Sequence, residues 1–224
     1  MLLKKAFCSW SGGKDSCLAY YLAQQEGITF SYLFNVLDED GETSCTHGLP
    51  ASLMRLQAKL AGIPLVQLKT NGIRYEEDLR KQLHEFKDQG INTGVYGNGD
   101  ISPIWIGGVS KEEGLDPVFP LKDIHKTEVL NKLIVLGFKT IVVTARADLL
   151  GQQWLGKEVD EQFIIDWEQL KKKHNITPDQ EAGLYHTLVL AGPIFKGQLE
   201  IVKTEKVLRN GYWFLDVRAV ADTQ

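Results

Sequence analysis

Between residues 6 and 144, short runs rich in β-branched and aromatic residues alternate with segments whose apolar residues recur every three or four positions. Ala6 to Trp10, Ile28 to Leu37, Leu65 to Leu68, Gly94 to Tyr96 and Thr140 to Thr144 read as five strands. The intervening helices run from about Ser16 to Gln25, then through Leu53, Leu56 and Leu60, through Leu79, Leu83 and Phe86, and through Val129, Leu130, Leu133 and Ile134. Gly27, Gly62, Gly90 and Gly137 stand where those helices should stop. Such alternation requires crossover connections, and so predicts an α/β fold in which a five-stranded parallel sheet carries helices on both faces. We expect this unit over residues 1–145. Beyond it the pattern changes to a helix from Val159 to Lys171, a strand from Tyr185 to Leu190, and two strands, Ile201 to Leu208 and Tyr212 to Val220. The last two flank Arg209-Asn210-Gly211, a hairpin turn because Asn and Gly accept positive φ. Residues 146–224 therefore read as a smaller α+β unit.

Open parallel sheets take ligands at the carboxyl ends of their strands. That rule puts the expected site beside Ser11, Asn35 to Asp38, Thr70 and Gly97 to Asp100. The first strand end carries Ser11-Gly12-Gly13-Lys14-Asp15-Ser16, between a strand and a helix. Paired glycines let backbone approach a bulky anion, and the following helix presents free N–H groups and the positive end of its dipole. Ser11 and Ser16 add hydroxyls and Lys14 a cation. Asp15 would repel phosphate, and fits as a first-turn helix residue or as a partner of bound Mg²⁺. A bare Gly-Gly turn is commonplace, but these six residues in this position read as a phosphate cradle rather than as a capped turn. No Walker A loop and no Gly-x-Gly-x-x-Gly occurs.

An apolar fraction of 43% and a charged fraction of 24% are ordinary for a globular protein, and no apolar run approaches a membrane span. The N-terminal Met-Leu-Leu-Lys-Lys leads directly into a strand-like run, so we expect no signal peptide. Three cysteines without a Cys-x-x-Cys pair argue against a disulfide framework and for the cytoplasm. A formal net charge of −4 disfavours non-specific nucleic-acid binding.

Other residues allow two readings each. Strand alternation puts Tyr185 and Thr187 on one face and His186 on the other, where His186 is either a hydrogen-bonded structural residue or a catalyst. Asp100, after Gly97-Asn98-Gly99, is a turn residue or a ligand contact, and His47 in its Gly-flanked loop is equally open. Lys171-Lys172-Lys173 reads as a solvated helix end favoured by the dipole.

Ser-Gly-Gly-Lys-Asp-Ser resembles the PP-loop of the adenine nucleotide α-hydrolase superfamily, whose HUP-like (Rossmann-like) members cleave ATP between the α and β phosphates. Glu181-Ala182-Gly183-Leu184-Tyr185-His186-Thr187 with Gly192-Pro193-Ile194-Phe195 is similar to the C-terminal signature of the diphthine–ammonia ligase (diphthamide synthase) family. Gly99-Asp100-Ile101, Pro117 to Leu121, Leu155 to Asp160, His47-Gly48 and Ala61 to Leu65 are also similar to that family, in order, so the likeness spans residues 5 to 196. It differs at three places: Leu184 stands where a second acid is usual, Lys122 where Trp is expected, and residues 102–109 are more apolar. The resemblance implies ATP- and Mg²⁺-dependent amidation of diphthine, on a translation elongation (translocation) factor, using ammonium and yielding AMP and pyrophosphate. It implies catalytic roles for Lys14, Asp15, Glu181 and His186, with Asp15 towards the metal. It implies substrate contacts from His47, Gly99, Asp100, Tyr185 and Thr187. We expect residues 181–187 to serve the acceptor and the 11–16 loop the nucleotide. A homo-oligomer is left open and no membrane partner is expected. The alternatives are another PP-loop pyrophosphatase acting on tRNA or a small metabolite, and a non-catalytic nucleotide sensor.

Overall fold

Strand β1 (Lys5–Ser9) puts Phe7 on one side of a sheet and Ala6 and Cys8 on the other, and all three are fully buried. A strand apolar on both faces needs cover on both, which the computed structural model supplies across the described residues 5–45, 47–97 and 103–222. Helices α1 (Lys14–Gln25) and α2 (Ala51–Ala61) pack their Leu18, Leu53 and Met54 with Ala6 and Cys8. Helices α3 (Tyr75–Asp88) and α4 (Pro103–Glu112) pack Leu83, Phe86 and Ile106 with Phe7 on the opposite face. With β2 (Thr29–Leu37), β3 (Leu65–Lys69), β4 (Thr93–Val95) and β5 (Asp116–Val118), β1 forms a parallel sheet in the order β3-β2-β1-β4-β5. The chain runs from β1 outwards to β3 and then returns to the other side of β1. The strand order therefore reverses between β1 and β4, the place where open α/β sheets present a crevice.

After α5 (Lys126–Val135), a second sheet runs antiparallel in the order β7-β6-β9-β8, from β6 (Lys139–Arg146), β7 (Tyr185–Ala191), β8 (Leu199–Arg209) and β9 (Tyr212–Asp222). Helix α6 (Glu161–His174) packs beside it, started by Asp160, whose carboxylate accepts from the Phe163 amide at 2.7 Å. Asn210 and Gly211 both have positive φ, 49° and 79°, so the β8–β9 hairpin closes through the expected two-residue turn.

The parallel sheet has five strands as expected, but Thr140 to Thr144 is not the fifth. That run belongs to β6 of the second sheet, and the fifth parallel strand is the three-residue β5. A buried antiparallel strand and a buried parallel one share the same continuous apolar pattern, so the run alone could not distinguish them. Pro117 hid β5, since proline lacks the ladder N–H and is tolerated at a sheet edge, where β5 lies. A division after residue 145 cuts through the end of β6, whereas the change of sheet falls between β5 and β6. One core cluster nonetheless runs from Ala6 to Val217 and joins the two sheets.

Candidate functional site

The Ser11–Ser16 loop leaves β1 and enters α1 at the reversal point of the parallel sheet. Its floor is formed from the second unit. β7 is an edge strand, and its free edge lies against the loop: the Val189 amide donates to the Gly12 carbonyl at 3.0 Å. The Lys14 amide, one of the first-turn N–H groups with no intrahelical acceptor, donates to Thr187 Oγ1 at 3.0 Å. Gln57 of α2, fully buried, clamps the arrangement. Its Nε2 donates to the carbonyls of Gly12 (3.0 Å) and Val189 (2.8 Å), while its Oε1 accepts from Trp10 Nε1 (3.0 Å). Gly12 has φ of +75°, which a side chain rarely adopts. Gly13 has ordinary backbone but no room, since a Cβ there would sit 2.5 Å from the His47 ring and 2.8 Å from the Thr187 carbonyl. The segments expected to serve nucleotide and acceptor separately are thus in direct contact.

A cavity of about 440 Å³, within the range of small-molecule sites, opens over this junction. Ser11, Lys14, Asp15 and Ser16 form one wall, Tyr96 and Gly97 at the end of β4 the next, and Glu181 with Gly183 and Tyr185 to Thr187 a third. Lys122, His125 and the α5 residues Lys126, Val129 and Leu130 line it as well. Lys14 Nζ is 2.6 Å from Asp15 Oδ2 and 5.4 Å from the centre of the Tyr185 ring. Tyr185 is wedged against Trp167 and Phe163, and burial pushes its phenol up to about 12, against a smaller opposing pull from Lys14. It is therefore a neutral wall at physiological pH.

His47 lies against His186, with ring centres 4.6 Å apart. Its Nδ1 is buried without a hydrogen-bond partner among the described residues. Burial first, then the charges of His186 and Lys14, hold its pKa well below the ordinary 6.5, against the opposing pull of its hydrogen bond to the Thr187 backbone. His47 therefore stays neutral in the fold, whereas the unfolded chain takes up a proton below pH 6.5. Stability should be fully present above pH 6.5 and decline as pH falls, by up to about 1.4 kcal/mol per pH unit. Urea denaturation at pH 7.5, 6.5 and 5.5 measures this, and the decline should flatten in a His47→Gln variant. Unchanged slopes in that variant would remove His47 as the cause.

Of the expected site residues, Ser11, Lys14, Asp15, Ser16, His47, Glu181, Tyr185, His186 and Thr187 all line the cavity. Gly99 and Asp100 lie outside the described residues. Asn35 and Thr70, expected at strand ends, are structural. Asn35 Nδ2 donates to the Trp10 carbonyl and Ser44 Oγ, and Thr70 Oγ1 donates to Asp78. Glu181 is not an open carboxylate, because Lys171 Nζ lies 2.9 Å from its Oε1. Gln57 was missed, although a Gln between Leu53 and Leu60 on the apolar face of α2 was a legible signal of a buried polar contact. Lys126, Val129 and Leu130 had no such signal, and Lys122 stood out only as a departure from the family pattern.

Models of known families match both halves of the molecule. The diphthamide synthase N-terminal domain matches residues 4–117, and the diphthamide synthase C-terminal domain matches residues 125–221. The chain belongs to the diphthamide synthase family. Relatives named diphthine–ammonia ligase include one from Schizosaccharomyces pombe, 27% identical over 222 residues, covering 88% of this chain and 36% of that protein. Those from Rattus norvegicus and Homo sapiens are each 25% identical over 236 residues, covering 92% of this chain and 86% of theirs. This chain thus spans only about a third of the fission-yeast relative. A solved structure from Methanocaldococcus jannaschii, described as a predicted subunit of tRNA methyltransferase, aligns with a TM-score of 0.44 at 15% identity. It covers 84% of this chain and 98% of that one.

Two departures of this diphthamide synthase family member from the expected pattern fall in different places. Leu184 is fully buried in the shared core, while its neighbours Gly183 and Tyr185 line the cavity. Lys122 is on the cavity wall itself, so this substitution changes the lining and Leu184 does not.

Proposed function

We propose that the chain is an ATP-dependent ligase that amidates diphthine on a translation elongation factor. The observation that carries this reading is the shared cavity: a phosphate cradle and the Glu181–Thr187 segment meet within hydrogen-bond distance in a chain whose two halves both match the family. The β and γ phosphates rest on the Ser11 and Ser16 hydroxyls and the Lys14 ammonium, while the Lys14 amide stays on Thr187. The diphthine carboxylate oxygen attacks the α-phosphorus, the bond to the bridging oxygen breaks, and pyrophosphate leaves from an acyl-adenylate. Ammonia then adds to the acyl carbon, loses a proton and expels AMP, giving the amide. The chain's contribution is positioning, and neutralisation of the pyrophosphate by Lys14.

The described residues bring no three metal-ligating side chains together. Mg²⁺ would accompany the nucleotide, where it neutralises phosphate charge, and Asp15 would offer it a carboxylate. No helix among the described residues is long and apolar enough to cross a membrane.

Incubation with ATP, ammonium and a diphthine-bearing factor should yield AMP, pyrophosphate and amide in equal amounts. Chromatography of the nucleotides decides the matter, and accumulation of ADP alone would overturn the reading.

A further inference from the structure

The lysine run at the end of α6 is not uniform. Lys172 and Lys173 are exposed, whereas the Lys171 side chain is only 10% exposed and its ammonium is shared between two carboxylates. Nζ lies 2.9 Å from Glu181 Oε1 and 2.7 Å from Glu168 Oε1, and the Glu181 side chain is itself 6% exposed. Burial pulls the Lys171 pKa down, but the two carboxylates outweigh it and the net shift is upward. Glu168 also accepts from Thr127 Oγ1 of α5 at 2.9 Å. One chain of contacts thus runs from α5, whose Lys126, Val129 and Leu130 border the cavity, through α6 to the Glu181 wall on another side. An ammonium has three donors and no acceptor, so it can hold two carboxylates at fixed positions at once. Buried ion pairs contribute little net stability, because desolvation offsets the attraction, and they serve better to fix geometry.

We propose that Lys171 is a positioning residue: it holds the Glu181 carboxylate in the cavity wall and, through Glu168 and Thr127, sets that wall against α5. This rests on the reading of Glu181 as part of the amidation site. Lys171→Met keeps the apolar stem and removes the donor, leaving two carboxylates facing each other without a cation.

The test measures amidation over a range of ATP concentrations up to saturation in four variants. Lys171→Met should lower kcat at least about tenfold, with KM for ATP within about threefold of the parent, and Lys171→Arg should recover most of the loss. An unpaired buried carboxylate can unfold the single variant, so Lys171→Met/Glu181→Gln is measured beside Glu181→Gln. The two should agree within about threefold, since both contacts of Lys171 reach the reaction by placing the Glu181 carboxylate. A double variant tenfold slower than Glu181→Gln would overturn the proposal, as would wild-type speed in Lys171→Met while Glu181→Gln is slow. Wild-type speed in Glu181→Gln would instead sink the reading of Glu181, and this proposal with it.

Discussion

Lys14→Met should lower pyrophosphate release about 100-fold or more, equivalent to about 2.7 kcal/mol of lost transition-state stabilisation. Lys14 Nζ stands on the wall formed by the 11–16 loop, 2.6 Å from Asp15 and above the Tyr185 ring. In the proposed mechanism, removing it withdraws the charge that meets the leaving pyrophosphate. It also leaves the Asp15 carboxylate facing the phosphates uncompensated, so the variant suffers twice. The anchoring of the loop survives, because the Lys14 amide still donates to Thr187 Oγ1. Methionine preserves the length and the apolar stem of the side chain. Thermal unfolding should hardly move, since both partners of the Lys14–Asp15 pair are about one-fifth exposed and such pairs contribute about 1 kcal/mol or less. Turnover and melting temperature measured on the same preparation separate chemistry from folding. Wild-type pyrophosphate release would remove Lys14 from the mechanism.

The glycine loop between β1 and α1, the parallel sheet and the hairpin were legible because each depends on local chemistry: glycine freedom, period-two and period-3.6 patterning, and a turn that wants Asn-Gly. What stayed hidden depends on distant partners. Nothing local marks Thr187 as the acceptor of the Lys14 amide, since the two are joined only by the way an edge strand of one sheet reaches the loop of another. Lys171 looked like its solvated neighbours because a run of like charges conceals which member turns inward. Thr140 to Thr144 has the composition of any buried strand, and which sheet it joins is fixed by α5 and by its pairing with β7 and β9. Gln57 is the intermediate case: its place on an apolar stripe announced a buried amide, but not that the amide ties Gly12, Val189 and Trp10 together.

Gly13→Val carries the largest expected loss of stability, and the reason is space rather than φ. With φ of −92° and ψ of −179°, the Gly13 backbone suits any residue. The Cβ, however, would enter the gap between His47 Cε1 and the Thr187 carbonyl, at 2.5 and 2.8 Å. The Thr187 carbonyl belongs to β7, which the Val189 amide and Gln57 hold against Gly12, so it cannot withdraw without breaking those hydrogen bonds. His47 is buried behind it. Overpacking of this kind costs about 3 kcal/mol, with a further contribution from a poor helix N-cap. ATP-dependent turnover should be lost along with stability, because the same shift moves the Lys14 amide away from Thr187 Oγ1. Gly108→Ala supplies the control: Gly108 is exposed in α4, a Cβ there meets nothing within 4 Å, and alanine should stabilise the helix by about 0.5–1 kcal/mol with activity unchanged. Urea denaturation and pyrophosphate release on both variants test the contrast. A Gly13→Val protein as stable and as active as the parent would mean that β7 does not form the floor of the phosphate loop.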